Sequence, residues 1–355
     1  MDTLEEIMEK QDKKRSAKRI LLIVVCVVLA LILAVAVAGI IIWKDLFGQV
    51  DRLDGSVDTL SSELEESIRN ETDPTDPSFT GPELNPSDVT TPTEPVEIVP
   101  VGDNILNILL IGQDRREGQG RQRSDSMILC TINKSAKTLT MTSFLRDTWV
   151  WIPDRYNERL NVPYAIGGHT LLNKTLEHNF GVSADYSVEV DFSGFKKVID
   201  LVGGVDISLT GAEAKYLTAR NKTWSFEKGL NRLDGEQALD YARIRALDND
   251  LGRSNRQRNV ITALLNKAKT MSVSQIYDMV KQMLSIVKTD MTDAEILAYT
   301  TELAPMLADL KIVSQRIPAD GAYAFARIDG KSVIYLSPAN LAKNIEILKE
   351  TISDQ

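Results

Sequence analysis

Ala242–Arg258 reads ARIRALDNDLGRSNRQR, with five arginines and two aspartates in seventeen residues. A guanidinium is a planar fork of donors that grips two phosphate oxygens at once. Residues two apart share a face only in extended chain, so Arg243 and Arg245 can serve one ligand if the helix before them ends by about Tyr241. Arg256 is expected in the first turn of the next helix, where backbone N–H groups also favour an anion. Three guanidiniums so placed surround a group the size of a pyrophosphate. The competing arrangement is a surface ladder in which the arginines pair with Asp248 and Asp250. Arg258 is expected to be solvated.

A second cluster, GQDRREGQGRQRSDS over Gly112–Ser126, follows an apolar stretch. Asp114 at the end of one strand and Asp125 at the mouth of the next supply two carboxylates beside arginines. Mg²⁺ takes one or two protein carboxylates and completes its shell with water and phosphate oxygens. The same aspartates could instead be turn and cap residues. In SFLRDT (Ser143–Thr148), Arg146 and Asp147 follow a strand. His169 and His178 have no matching carboxylate or cysteine pattern, so no metal site is expected there. The absence of a P-loop, of zinc-ligand spacing and of a Gly-x-Ser-x-Gly turn leaves NTP hydrolysis and acyl transfer without support.

Positioning these groups requires a sheet. ILNILLI (Ile105–Ile111), SMILCTI (Ser126–Ile132), TLTMTSF (Thr138–Phe144), Tyr186–Val190 and Val205–Leu209 read as strands. Leu171 to Phe180 and Phe192 to Val202 keep helical spacing. Asp234 with Gln237 and Ser254 with Gln257 read as helix caps, opening helices near Gly235 and Asn255. Residues 272–288 and 292–308 look helical, Ala326–Leu336 looks like a hairpin, and Pro338 opens a last helix. Strands interleaved with helices give an α/β fold, an α-β-α sandwich with a central mixed β-sheet over residues 104–355.

Ahead of it, residues 20–43 include an unbroken apolar run long enough to cross a bilayer as one N-terminal transmembrane helix. The basic segment KKRSAKR lies just before it, within a cytoplasmic N-terminus of residues 1–19, so everything beyond the span is expected outside the cell. Residues 44–70 carry apolar positions at alternating four and three spacings, a stalk whose seam (46–68) admits a homodimer. Residues 71–103, rich in Pro, Thr and acid, read as a disordered linker. The net charge of −9 misleads about the outer domain, because residues 44–103 alone hold 15 acidic against 3 basic residues. The remainder is weakly basic and faces outward, which suits an anionic ligand and gives no ground for nucleic-acid binding. With only Cys26 and Cys130 in the chain, no intrachain disulfide braces the outer part.

NILLIGQD, RSDSMIL, SFLRDTWVWI, LNVPYAIGG, VDFSGFKKVIDLVGGVDI, LNRLDGEQALDYARIR and GRSNRQRNVI, in this order and spacing, resemble the LytR-CpsA-Psr family over about 105–267. The resemblance implies a membrane-anchored transferase of the Gram-positive envelope. Such an enzyme moves a glycopolymer (wall teichoic acid, capsular or related polysaccharide) from an undecaprenyl-pyrophosphate carrier to a peptidoglycan hydroxyl. It implies Mg²⁺ at Asp114 and Asp125, pyrophosphate contacts from Arg123 and Arg146, and a main cradle of Arg243, Arg245, Arg256 and Gln257. Arg253 and Asp250 fall on an Asp-x-Gly-Arg element. Asn161-Val162-Pro163-Tyr164 departs from the family's usual Asn-His-Ala-Tyr. The catalytic set is then Asp125, Arg146, Arg243 and Arg245, with Asp125, Asp147 or Asp250 open as the base. A polyprenyl-pyrophosphate phosphatase and a non-catalytic regulator that binds the lipid carrier are the alternatives.

Overall fold

The structure, a computed structural model, describes residues 50–53, 62–73, 81–115, 119–248 and 250–352. The expected membrane span lies outside these, as do Leu46, Val57 and Leu60 of the heptad seam. Among the described residues no helix is long and apolar enough to cross a membrane.

Seven strands form the mixed sheet, in the order β1 (Asp51–Arg52), β11 (Lys288–Thr289), β8 (Tyr186–Asp191), β3 (Ile105–Gln113), β4 (Ser124–Asn133), β5 (Thr138–Phe144) and β12 (Lys311–Ile317). Strand residues point alternately to the two faces, and here both faces are covered, which is why the strand sequences are almost continuously apolar. Leu109, Ile111, Met127, Leu129 and Phe144 meet Leu172, Leu176 and Phe180 of α2 (Val162–Phe180) and Leu348 and Ile352 of α9 (Pro338–Ile352). On the other face Ile128, Cys130, Leu139 and Met141 meet Ile261 and Leu265 of α6 (Asp250–Ala268). Cys130 is a buried free thiol.

A second, smaller core lies beside the sheet. β9 (Val205–Leu209) pairs with β10 (Gly229–Leu233) as a separate antiparallel ribbon. Its apolar face packs with α3 (Phe192–Leu201), α4 (Gly211–Arg220), α5 (Gly235–Ala242) and α6. The α5 cap is as expected, with Asp234 accepting from the Gln237 amide at 2.9 Å and Gln237 accepting from the Asp234 amide at 3.0 Å. α7 (Val273–Met283) and α8 (Asp293–Leu303) follow, and the hairpins β6 (Trp149–Trp151) with β7 (Asn157–Arg159) and β13 (Ala324–Ile328) with β14 (Lys331–Tyr335) close the outline.

The described part of the expected free linker is packed on this domain. β2 (Glu83–Leu84) pairs with β13, and Val89 and Val99 are buried in its cores. Extended proline-rich chain needs no hydrogen bonds of its own, so a few apolar residues suffice to lay it on a surface. Ahead of it, α1 (Ser62–Arg69) rests Ile68 against Ile152, Val162 and Ile166.

β8 runs parallel to β3, and β4 runs antiparallel to both β3 and β5. The C-terminal ends of β3, β5 and β8 therefore share one edge with the N-terminal end of β4. Ligands of α/β sheets collect beyond such strand ends. Asp114, Asp125, Arg146, Asp147 and Phe192 all fall there.

Candidate functional site

The edge carries a charge network assembled from three separate stretches of chain. Arg146, two residues past β5, donates from Nε to Asp250 Oδ2 at 2.8 Å and from Nη1 to Asp125 Oδ1 at 2.5 Å, with Asp147 at 3.5 Å. Arg253, one turn into α6, donates from Nη2 to Asp250 Oδ2 at 3.2 Å and to the Asp125 carbonyl at 3.3 Å. Its Nε and Nη1 are buried without a hydrogen-bond partner. Arg245 stands half exposed, 3.7 Å from Asp125 and 3.5 Å from Asp250. Unspent donors therefore remain on two arginines of this floor.

Two cavities open from this floor and share Asp125 as a wall. One, of about 540 Å³, is polar and is lined by Asp114, Arg121, Arg123, Arg146 and Asp147 among others. The other, of about 210 Å³, is bounded by Phe192, Phe195, Val198, Ile199, Leu239 and Val260 and is almost wholly apolar. Arg243 stands between them, its guanidinium 4.5 Å above the Phe192 ring and 3.8 Å from Asp114. A cation over an aromatic face is held there without using up its N–H donors. The site is thus shaped for a molecule with an anionic head and a hydrocarbon tail.

Burial acts to raise the Asp147 carboxyl; Arg146 opposes this, but a hydrogen bond to Asp250 and that residue's charge add to it, and the balance lies at about 7. Burial also works against ionised Asp250, but Arg146, the hydrogen bond from Asp147 and Arg245 together hold its carboxyl below the ordinary range. Two adjacent carboxyls are therefore driven apart, one able to take up a proton near neutrality and the other fixed as an anion. For Arg146, burial is outweighed by Asp147, Asp250 and Asp125, which raise its pKa and keep it charged.

Residues 76–350 match the LytR_cpsA_psr family. The chain belongs to this family. It is 32% identical over 252 residues to a Bacillus licheniformis polyisoprenyl-teichoic acid–peptidoglycan teichoic acid transferase, TagU, a match covering 70% of this chain and 78% of that one. It is 36% identical over 165 residues to the regulatory protein MsrR of Staphylococcus aureus, covering 46% of this chain and 49% of MsrR. The chain spans about half the length of several curated relatives it matches. Among solved structures, TagT bound to LIIa-WTA aligns over 76% of this chain and 99% of that one, at 26% identity and a TM-score of 0.59. Bacillus subtilis TagV aligns over 71% and 98%, at 28% and 0.57. The relatives named as transferases carry a phosphotransferase-type activity.

Set against the family reading, the expected residues divide. Asp125, Arg146, Arg245, Arg253 and Asp250 come together on the floor, Asp114 and Arg243 form the rim between the cavities, and Gln257 lines the apolar one. Arg123 lines the polar cavity but is paired with Glu71, just beyond α1.

Arg256, expected in the cradle, is instead a clamp. α6 opens at Asp250, five residues before the expected start, so Arg256 sits on the second turn and points inward. Its Nε donates to Glu213 Oε1 at 2.7 Å, Nη1 to the Ile244 carbonyl at 3.0 Å and to Asp248 Oδ1 at 2.8 Å, and Nη2 to Asp248 Oδ2 at 2.7 Å. The loop carrying Arg245 is tied down by these bonds. A Cβ on Gly252 would fall 2.0 Å from Asp248 Oδ2, so only glycine lets that carboxylate lie where the clamp needs it. Arg258, expected in solvent, is only 6% exposed, because the same helix start puts it on the stripe of Ile261 and Leu265 that faces the sheet.

Sequence reasoning missed Glu213 and Glu71. Glu213 reads as the third helical residue of a capping box with Thr210, which it also is, and nothing in its spacing points forty-three residues ahead to Arg256.

Among the described residues no group of three or more His, Cys, Asp or Glu could hold a metal. His178 Nε2 is bonded to the Pro92 carbonyl at 2.8 Å, and His169 lies 3.5 Å from Asp290.

Proposed function

We propose that the protein transfers a glycopolymer from a polyprenyl-pyrophosphate carrier to a hydroxyl of peptidoglycan, forming a phosphodiester, on the outer face of a membrane to which residues 20–43 anchor it. The observation that carries this reading is the junction of the polar and apolar cavities at Arg243 and Asp125. The carrier's pyrophosphate would lie on Arg146, Arg243, Arg245 and Arg253, and its isoprenoid chain along Phe192, Phe195 and Val198.

The acceptor oxygen attacks the phosphorus bonded to the sugar, and the bond to the distal phosphate oxygen breaks. Polyprenyl phosphate leaves with the extra negative charge. No protein nucleophile is required, because positioning and electrostatics supply most of phosphoryl-transfer catalysis. Asp147, which lines the polar cavity and can be a free carboxylate near pH 7, takes the hydroxyl proton. Asp250, fixed as an anion among arginines, orients Arg146 and Arg253 instead.

Asp114 and Asp125 border the same cavity, and two carboxylates beside bound phosphate are a sufficient protein contribution for Mg²⁺. When bound there, Mg²⁺ would offset charge on the phosphate oxygens. A lone Asp125 oxygen already engaged by Arg146 fits a metal held chiefly by water and ligand.

The test is to incubate the full chain in detergent with a lipid-linked pyrophosphoryl saccharide labelled in the sugar-proximal phosphate, with peptidoglycan and with or without Mg²⁺. Label in muropeptides is the expected result. Labelled saccharide phosphate with no muropeptide adduct would make water the acceptor and overturn the proposal.

A further inference from the structure

Behind the charged floor lies a second group of cationic side chains that the transfer reaction does not use. β5 and β12 are parallel neighbours in register, with Ser143 opposite Arg316. Along β5, Leu139 and Met141 face α6, so Ser143, two further on, faces it too. Along β12, Ile312 faces α6 and Arg316 lies four residues on, on the same side. Arg258 comes from α6 itself, one turn before Ile261. Three polar side chains from three elements therefore converge on one spot beneath the helix.

Each has an unsatisfied buried atom: Ser143 Oγ, Arg258 Nη1 and Arg316 Nε. Ser143 and Arg258 are 2% and 6% exposed. Arg258 Nη2 donates to Asn255 Oδ1, and Arg316 Nη2 pairs with the exposed Asp320. Among the described residues neither arginine has a buried carboxylate as partner. Burial, and then repulsion from Arg316, push Arg258 down to about 10. A buried guanidinium beside a half-buried one, each with a buried donor unspent, is unfavourable unless an anion lies between them.

We propose that Arg258, Arg316 and Ser143 form a binding site for a monatomic anion, with chloride as its occupant. Three convergent donors match the small coordination shell of a halide. Neither cavity of the active site is lined by Arg258 or Arg316, so the site is separate from both. The bound ion joins α6 to β5 and β12. Gln257 of the apolar cavity is the residue before Arg258, and Arg146 of the floor is three residues past Ser143. The anion thereby fixes the helix that carries Arg253 against the strand that leads to Arg146. It neutralises charge that would otherwise force those elements apart.

Thermal unfolding of the full chain in detergent tests this directly, with sodium chloride replaced stepwise by sodium gluconate at constant ionic strength. The midpoint should rise saturably with chloride, by about 2 to 4 °C at the plateau. Bromide should substitute for it. Arg258→Gln, which removes the repulsion as well as the ligand, should lose the chloride dependence. Ser143→Ala, a minimal deletion that reads the site even if the arginine variant does not fold, should shift the dependence to higher chloride. Equal midpoints for wild type in the two salts would overturn the site and leave ordered water as its occupant. An undiminished chloride response in Ser143→Ala and Arg258→Gln would overturn it as well.

Discussion

Arg243 and Arg245 are about half exposed, whereas Arg256, eleven residues after Arg245, is buried. The residue type is the same, and the difference is what each guanidinium has already bonded. Arg256 has every nitrogen committed to Glu213, Asp248 or a carbonyl. Arg245 touches two carboxylates only at 3.5 and 3.7 Å. An arginine-rich run in an anion site is therefore two things at once, a ligand surface and the frame that stiffens it. The count of unspent donors separates them better than the count of arginines.

The sharpest contrast is between substitutions at the two ends. Arg256→Ala should cost about 3 to 5 kcal/mol in urea unfolding, since it strands Glu213 in a nearly buried position. Arg245→Ala should leave unfolding within about 1 kcal/mol of wild type and lower transfer about 10² to 10³-fold, as for loss of one charge-stabilising donor. If the two variants lost stability equally, the division between frame and ligand surface would not exist.

A second contrast lies between Asp147 and Asp250. The folded-state carboxyl of Asp147 titrates at about 7, above its ordinary range, so the native state holds that proton more tightly than the unfolded chain. Its contribution to stability is present in acid and is lost as pH rises through about 7. Asp147→Asn keeps a hydrogen bond to Asp250 available, and should match wild type near pH 4 and exceed it by about 1 to 2 kcal/mol at pH 8. Its transfer rate should be low and should lack the rise through about pH 7 that wild type shows. A retained rise in the Asn variant would move the base elsewhere.

The smallest effect concerns Arg123. Exposed ion pairs contribute little, so Glu71→Gln should leave stability unchanged and lower the KM for the lipid donor no more than about threefold. A large loss of activity would mean that Glu71 contacts the acceptor.

Much of this was legible in the residues. The strands β3, β4 and β5 and the α5 cap follow from hydrophobic runs and cap chemistry. What failed did so for local physical reasons. Ser254 and Gln257 look like a cap, but Ser254 Oγ donates back to the Leu251 carbonyl at 2.9 Å from inside the helix. That single misreading displaced Arg256 and Arg258 by more than a turn relative to the helix start. β12 was missed because KIVSQRI is an edge strand with exposed positions, and its pairing with β5 is more than 170 residues distant in sequence. The linker's docking was hidden because proline-rich chain has one composition whether it is free or laid on a domain.

The proposed transfer requires one ligand with its head on the arginines and its tail in the apolar cavity. The direct measurement is the affinity of the full chain for a short polyprenyl pyrophosphate against inorganic pyrophosphate, in wild type and in Val198→Trp, by isothermal titration. The prenyl compound should bind wild type at least about a hundredfold more tightly, and Val198→Trp should remove most of that gain while leaving inorganic pyrophosphate unaffected. Equal affinities for the two ligands in wild type would contradict the account, because head and tail would then not share one site.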